Sequence, residues 1–217
     1  MAWTAETSQG NETGKIHDRV APFVSGRGLD LGCGPWKLKV PKTGSEDFCL
    51  GVDGGYPGNA VTADVVCDVT KLTLFADESW DYIYSSHTLE DMPYPEAVLR
   101  EWWRLIKPGG NLILYLPLAK QVAKTLGRED WEKFYPDKGT EGANIHHQHD
   151  YSPEEIISYV SGCGPVEVLL NEIRGENDEY SFLLVFNKLA SNHVEMSAGK
   201  EVPTISKARR ALVVRYG

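Results

Sequence analysis

The 217-residue sequence has no apolar run approaching the roughly 18 residues needed to cross a bilayer. Its opening stretch, Met1 to Gly14, is polar and lacks the apolar centre of a signal peptide. It lacks a basic excess too: 22 Lys and Arg stand against 31 Asp and Glu, a net charge of −9, which argues against a nucleic-acid partner. The tail is the local exception, with Lys200, Lys207, Arg209, Arg210 and Arg215 against Glu201. Cysteine is scarce, and Cys33, Cys49, Cys67 and Cys163 lie too far apart for any CxxC-type zinc spacing. They read as reduced thiols. No internal repeat is present. These absences predict a soluble, cytoplasmic protein with neither a membrane nor a nucleic-acid partner.

What is present is ordinary globular composition, 41% hydrophobic and 24% charged, arranged as short apolar runs alternating with helical or turn-rich stretches from Val24 to Lys188. That alternation predicts an α/β fold, a Rossmann-like three-layer sandwich around a seven-stranded, mostly parallel sheet with an antiparallel last strand. Candidate strands are 28–31, 48–52, 65–67, 82–84, 111–116, 166–170 and 180–187. The last two are joined by a short polar loop and should be antiparallel. Pro95 to Ile106 is the clearest helix, with Ala97, Val98, Trp102, Leu105 and Ile106 at three- and four-residue spacing, stopped by Lys107-Pro108-Gly109-Gly110. Ser152-Pro153-Glu154-Glu155 has the form of a capping box and opens a helix running to about Val160. The domain reading is an N-terminal segment over 1–25, a catalytic domain over 26–188 and a linker and tail over 189–217. Residues 117–151 form an insertion for substrate, carrying Trp131, Phe134, Tyr135, His146, His147 and His149.

Three neighbouring strand ends carry a carboxylate: Asp30, Asp53 and Asp68. Asp30 precedes the turn Gly32-Cys33-Gly34, and Asp53 follows Asp30 by 23 residues, the spacing at which an acidic residue meets a ribose diol. A dinucleotide fits poorly. GxGxxG requires glycine where Lys37 stands, and an anionic Asp30 beside a pyrophosphate would repel it by several kcal/mol at an effective dielectric of about 20. A phosphate-free cofactor with a cationic head suits the carboxylates better.

The ordered set Leu29-Asp30-Leu31-Gly32-Cys33-Gly34, Gly51-Val52-Asp53, Cys67-Asp68-Val69, Phe75 to Ile83, Ser85 to Asp91 and Arg104 to Gly110 resembles the class I S-adenosylmethionine-dependent methyltransferases, especially the small-molecule branch. The resemblance spans residues 26–188. It implies S-adenosyl-L-methionine as cofactor, with Asp30, Gly32, Cys33 and Gly34 at the methionine end. Asp53 and Gly54 would then lie at the ribose, Asp68 and Val69 at the adenine, and Ser85, Ser86 and His87 under the sulfonium. One departure is visible: the stretch between Gly34 and Leu50, where the family places a long helix, is short and interrupted by Pro41.

If the acceptor must lose a proton, as an alcohol must, a base is required. The candidates are His87, after the fourth strand, His146, His147, His149 and Asp150, with His149 beside Asp150 able to form a base held by a carboxylate. The clustered histidines at 146, 147 and 149 invite a zinc reading, but adjacent loop residues rarely converge tetrahedrally, so no metal site is expected. Residues 208–217 weakly resemble the opening strand of a heptosyltransferase-like glycosyltransferase. The expected activity is methyl transfer to a small molecule or glycan, at oxygen. The alternative is a catalytically inactive S-adenosylmethionine-binding scaffold attached to a glycosyltransferase. An NAD-dependent oxidoreductase is disfavoured by Asp30 and Lys37, and a nucleic-acid methyltransferase by the acidic charge.

Overall fold

A computed structural model describes residues 12–40, 44, 47–54, 63–118, 148–173 and 181–190. Seven strands form one sheet: β1 (Arg27–Leu31), β2 (Phe48–Asp53), β3 (Val65–Val66), β4 (Trp80–Ser86), β5 (Ile106–Pro117), β6 (Val166–Ile173) and β7 (Ser181–Lys188). Their order across the sheet is β3-β2-β1-β4-β5-β7-β6. The pairs β1–β2, β2–β3, β1–β4 and β4–β5 are parallel, and β7 runs antiparallel to both β5 and β6. This is the expected seven-stranded arrangement. The order turns back between β1 and β4, which opens a crevice outside their carboxyl ends.

Among the described residues, three α-helices lie on the faces: α1 (Glu12–Val20), α2 (Pro95–Leu105) and α3 (Pro153–Ser161). On one face, α2 and α3 bring Trp102, Leu105, Ile156 and Val160 against Leu29, Leu31, Ile83, Leu112 and Leu114. Each such burial contributes on the order of 1.5–3 kcal/mol. Trp102 is core as its spacing suggests, and its indole Nε1 donates to the Val69 carbonyl at 2.8 Å. On the other face, Ile16 and Val20, one helical turn apart on α1, join Leu38, Tyr82, Tyr84, Ile113 and Tyr115. The four described cysteines are free thiols.

Ser152 caps α3 as predicted: its Oγ accepts from the Glu155 amide, and Glu155 Oε2 accepts from the Ser152 amide at 2.8 Å. β5 starts earlier than its apolar run. Ile106 pairs with Trp80, and the register then slips until Tyr82 meets Asn111. The slip absorbs Pro108 and Gly109, the latter at φ +84°. Between β1 and β2 no helix forms among the described residues, as the interrupted stretch suggests. Leu38, 1% exposed, seals that side of the sheet instead.

Candidate active site

The turn after β1 needs its glycines. Gly32 has φ +74°, and a Cβ there would stand 2.1 Å from Thr88 Oγ1. Gly34 has φ +49° with open space around its missing side chain. All three turn amides are directed at β2: those of Gly32 and Cys33 donate to the Val52 carbonyl at 2.8 and 3.4 Å, and that of Gly34 to Asp53 Oδ2 at 2.9 Å. A pyrophosphate in a dinucleotide fold is held by turn amides and a following helix N-terminus. Here those amides already serve β2, and no helix follows among the described residues. Asp53, half-buried, closes the end of β2 next to Gly54. The donor set of an open glycine turn and a rim carboxylate fits a phosphate-free, cationic nucleoside.

Asp30 requires a correction. Its side chain is 1% exposed, and Oδ2 accepts from the Leu38 amide at 2.7 Å. Burial pushes its carboxyl up to about 7. Alternation along β1 turns it towards the Leu38, Tyr82 and Tyr84 layer, between Leu29 and Leu31, which face the other way. It does not present the full anion that the sequence suggests, so the case against a dinucleotide passes from Asp30 to the committed amides. Cys33 is buried as well, and its thiol is pushed up to about 12, chiefly by burial.

Asp68, past the end of β3, is exposed, and its Oδ1 accepts from the Thr70 amide and hydroxyl at 2.8 and 2.7 Å. These bonds hold its carboxyl below the usual range. Val69 beside it is buried. Asp64, which sequence reading passed over, accepts from Lys37 Nζ and the Gly51 amide, both at 2.7 Å. Lys37 is thereby occupied next to the turn.

The segment after β4 forms the crevice's second wall. Ser85 is fully buried with its hydroxyl donating to the Leu31 carbonyl at 2.8 Å, so its side chain ties β4 to β1. Ser86 is only half-buried, and its carbonyl accepts from Thr88 Oγ1 at 3.1 Å. His87 has φ +50°, and its amide donates to the Tyr115 carbonyl at 2.9 Å. Its Nε2 lies 2.9 Å from Ser181 Oγ, and its Nδ1 lies 3.5 Å from Glu90 Oε1. Glu90 and Ser181 are fully buried. Sequence reading named neither as a site residue. Glu90 was legible as a carboxylate three positions beyond His87, whereas Ser181 gives no local signal from 94 residues away.

His149 and Asp150 do not form the expected pair. The His149 ring stacks on Tyr151, centroids 5.6 Å apart, and no ion pair joins it to the exposed Asp150. The backbone of this segment is nevertheless docked at the rim: the Gln148 and His149 amides donate to the Glu90 carbonyl at 2.8 and 3.1 Å, and Leu118 bridges to Tyr151. Trp131, Phe134, Tyr135, His146 and His147 lie outside the described residues. A separate open cleft of about 420 Å³ lies at the amino ends of β1 and β5, between Pro22–Gly26 and Lys107–Asn111. Its charges, Asp81 and Lys107, are joined at 2.7 Å.

A seven-stranded sheet with a reversed β7, a glycine turn and a carboxylate at the end of β2 supports a class I S-adenosylmethionine-dependent methyltransferase. Comparison with known proteins agrees, since residues 29–114 match the family model described as a methyltransferase domain. The chain is similar to a ubiquinone biosynthesis O-methyltransferase of Cereibacter sphaeroides, 26% identical over 198 residues, covering 81% of this chain and 74% of that protein. It is also similar to a ubiquinone/menaquinone biosynthesis C-methyltransferase of Bordetella avium, 31% identical over 111 residues, 49% of this chain and 42% of that one. Its fold matches a methyltransferase solved in complex with the Haloferax volcanii Trm112 activator, with a TM-score of 0.60 at 18% identity over 82% of this chain and 89% of that one. S-adenosylmethionine is thus the methyl donor. No described helix is long and apolar enough to cross a membrane. The comparisons lend no support to the glycosyltransferase resemblance of residues 208–217, which lie outside the described residues.

Proposed function

We propose that residues 26–188 form a catalytic domain that transfers a methyl group to the hydroxyl oxygen of a small molecule, sugar or phenol. The observation that carries this reading is the placement of His87, a histidine with a buried carboxylate beside it, at the carboxyl end of β4 across the crevice from the glycine turn. The O-methyltransferase among the relatives supports oxygen as the target. The donor brings a methyl group on a cationic sulfur, so the leaving group is already good and the protein's work is alignment and exclusion of water.

In this reading Gly32, Cys33, Gly34 and the Asp30-anchored strand shape the methionine end. Asp53 and Gly54 hold the ribose hydroxyls, and Asp68 with Val69 receives the adenine. Ser85 and Ser86 act through their backbone as the floor. His87 takes the acceptor proton, and His149 and Asp150 border the acceptor pocket rather than forming a base. The insertion over residues 117–151 is assigned to the substrate. Support comes from the docking of Leu118 and residues 148–151 beside the Leu89–Asp91 turn.

Incubation with methyl-labelled S-adenosylmethionine and a panel of phenols, sugars, amines and carbon acids tests this. Label recovered as a methyl ether supports it; label appearing only on nitrogen or carbon overturns it.

A further inference from the structure

Three groups from three chain segments converge on the His87 ring. Glu90, on the Leu89–Asp91 turn, stands at Nδ1, and Ser181, the first residue of β7, stands at Nε2. Tyr115 of β5 packs edge-on, ring centroids 5.3 Å apart. The ring itself is only 13% exposed. The Leu89–Asp91 turn is held from outside, because its Glu90 carbonyl takes two amides of residues 148–149. A carboxylate thus stands at one nitrogen of a largely enclosed ring and a hydroxyl at the other.

We propose that Glu90 and Ser181 are positioning residues that complete a carboxylate–imidazole–hydroxyl array and make Nε2 of His87 the proton-accepting atom. The proposal rests on the reading of this site as an oxygen methyltransferase. A carboxylate beside one ring nitrogen draws the proton to that nitrogen and leaves the other lone pair basic. With the proton on Nδ1 facing Glu90, Nε2 accepts the Ser181 hydroxyl at rest. In the reaction, the acceptor's O–H proton moves to Nε2 as its oxygen forms the new C–O bond and the C–S bond of the donor breaks. The sulfur keeps the electron pair and becomes a neutral thioether, the imidazole becomes imidazolium beside an ionised Glu90, and the proton then leaves to water. Because β7 is antiparallel to β5, Ser181 pairs with Pro117 at the carboxyl end of β5, on the rim where this happens.

Long-range ¹H–¹⁵N spectra of the wild-type chain, with His87 assigned through its contact with the Tyr115 ring, read the tautomer directly. The neutral ring is expected to carry its proton on Nδ1, and a proton on Nε2 overturns the proposal. In the same spectra, Glu90→Gln should lower the His87 titration midpoint by about 1 unit or more; an unchanged midpoint overturns it. If that variant does not fold, the wild-type tautomer decides alone. Calorimetric binding of S-adenosylhomocysteine to the wild type is read separately, so failure of the methyltransferase reading shows there and not in the tautomer.

Discussion

Asp53 Oδ2 accepts the Gly34 amide at 2.9 Å, joining the end of β2 to the tip of the turn after β1. One carboxylate thereby ties the glycine turn to the end of β2. Asp53→Ala should weaken S-adenosylhomocysteine binding about 10–100-fold, the loss expected for a charge-assisted hydrogen bond. Asp53→Asn, which can still accept from Gly34, should fall between the two. Isothermal calorimetry measures both, and wild-type affinity in the alanine variant would remove Asp53 from the ribose site.

The two turn glycines should respond unequally. Gly32→Ala meets both a left-handed backbone and the Thr88 side chain 2.1 Å from its new Cβ, and should destabilise the fold by about 2–4 kcal/mol. Gly34→Ala, at φ +49° in open space, should cost about 1–2 kcal/mol. Urea unfolding of the pair tests the contrast, and equal losses would show that the Thr88 contact relaxes away.

Asp30 gives stability a pH dependence. Burial raises its carboxyl from 3.8 to about 7, so between those values the folded chain keeps a proton that the unfolded chain has lost. Unfolding then releases a proton, and this group's contribution declines as pH rises from about 4 to about 7. Asn at this position still accepts the Leu38 amide but cannot ionise. Relative to wild type, Asp30→Asn should therefore gain stability between pH 5 and pH 7.5 in urea melts. A constant difference would mean that Asp30 keeps an ordinary carboxyl.

Ser152→Ala removes the side-chain half of the α3 capping box and should cost about 1 kcal/mol. Thermal unfolding monitors it, and restoring Thr at this position should recover most of the loss.

The elements legible in the sequence are those written locally. The capping box at Ser152, the spacing of α2 and the hydrophobic runs of β4 and β7 each express one segment's own geometry. Asp30 was legible as a strand-end carboxylate but not as a buried one, because in a sheet covered on both faces alternation separates two interiors rather than inside from outside. The expected His149–Asp150 pair relied on adjacency in sequence, but the ring turned to Tyr151 instead. The carboxylate that does reach a histidine, Glu90, depends on the turn of the Leu89–Asp91 segment, and Ser181 depends on the whole sheet closing.

The reversal of β7 has a consequence for how such a chain can diversify. A strand running against its neighbours delivers its beginning, not its end, to the working edge. Ser181, the first residue of β7, therefore reaches His87, so a change at this one strand start would touch the histidine while leaving the glycine turn and the end of β2 unaltered.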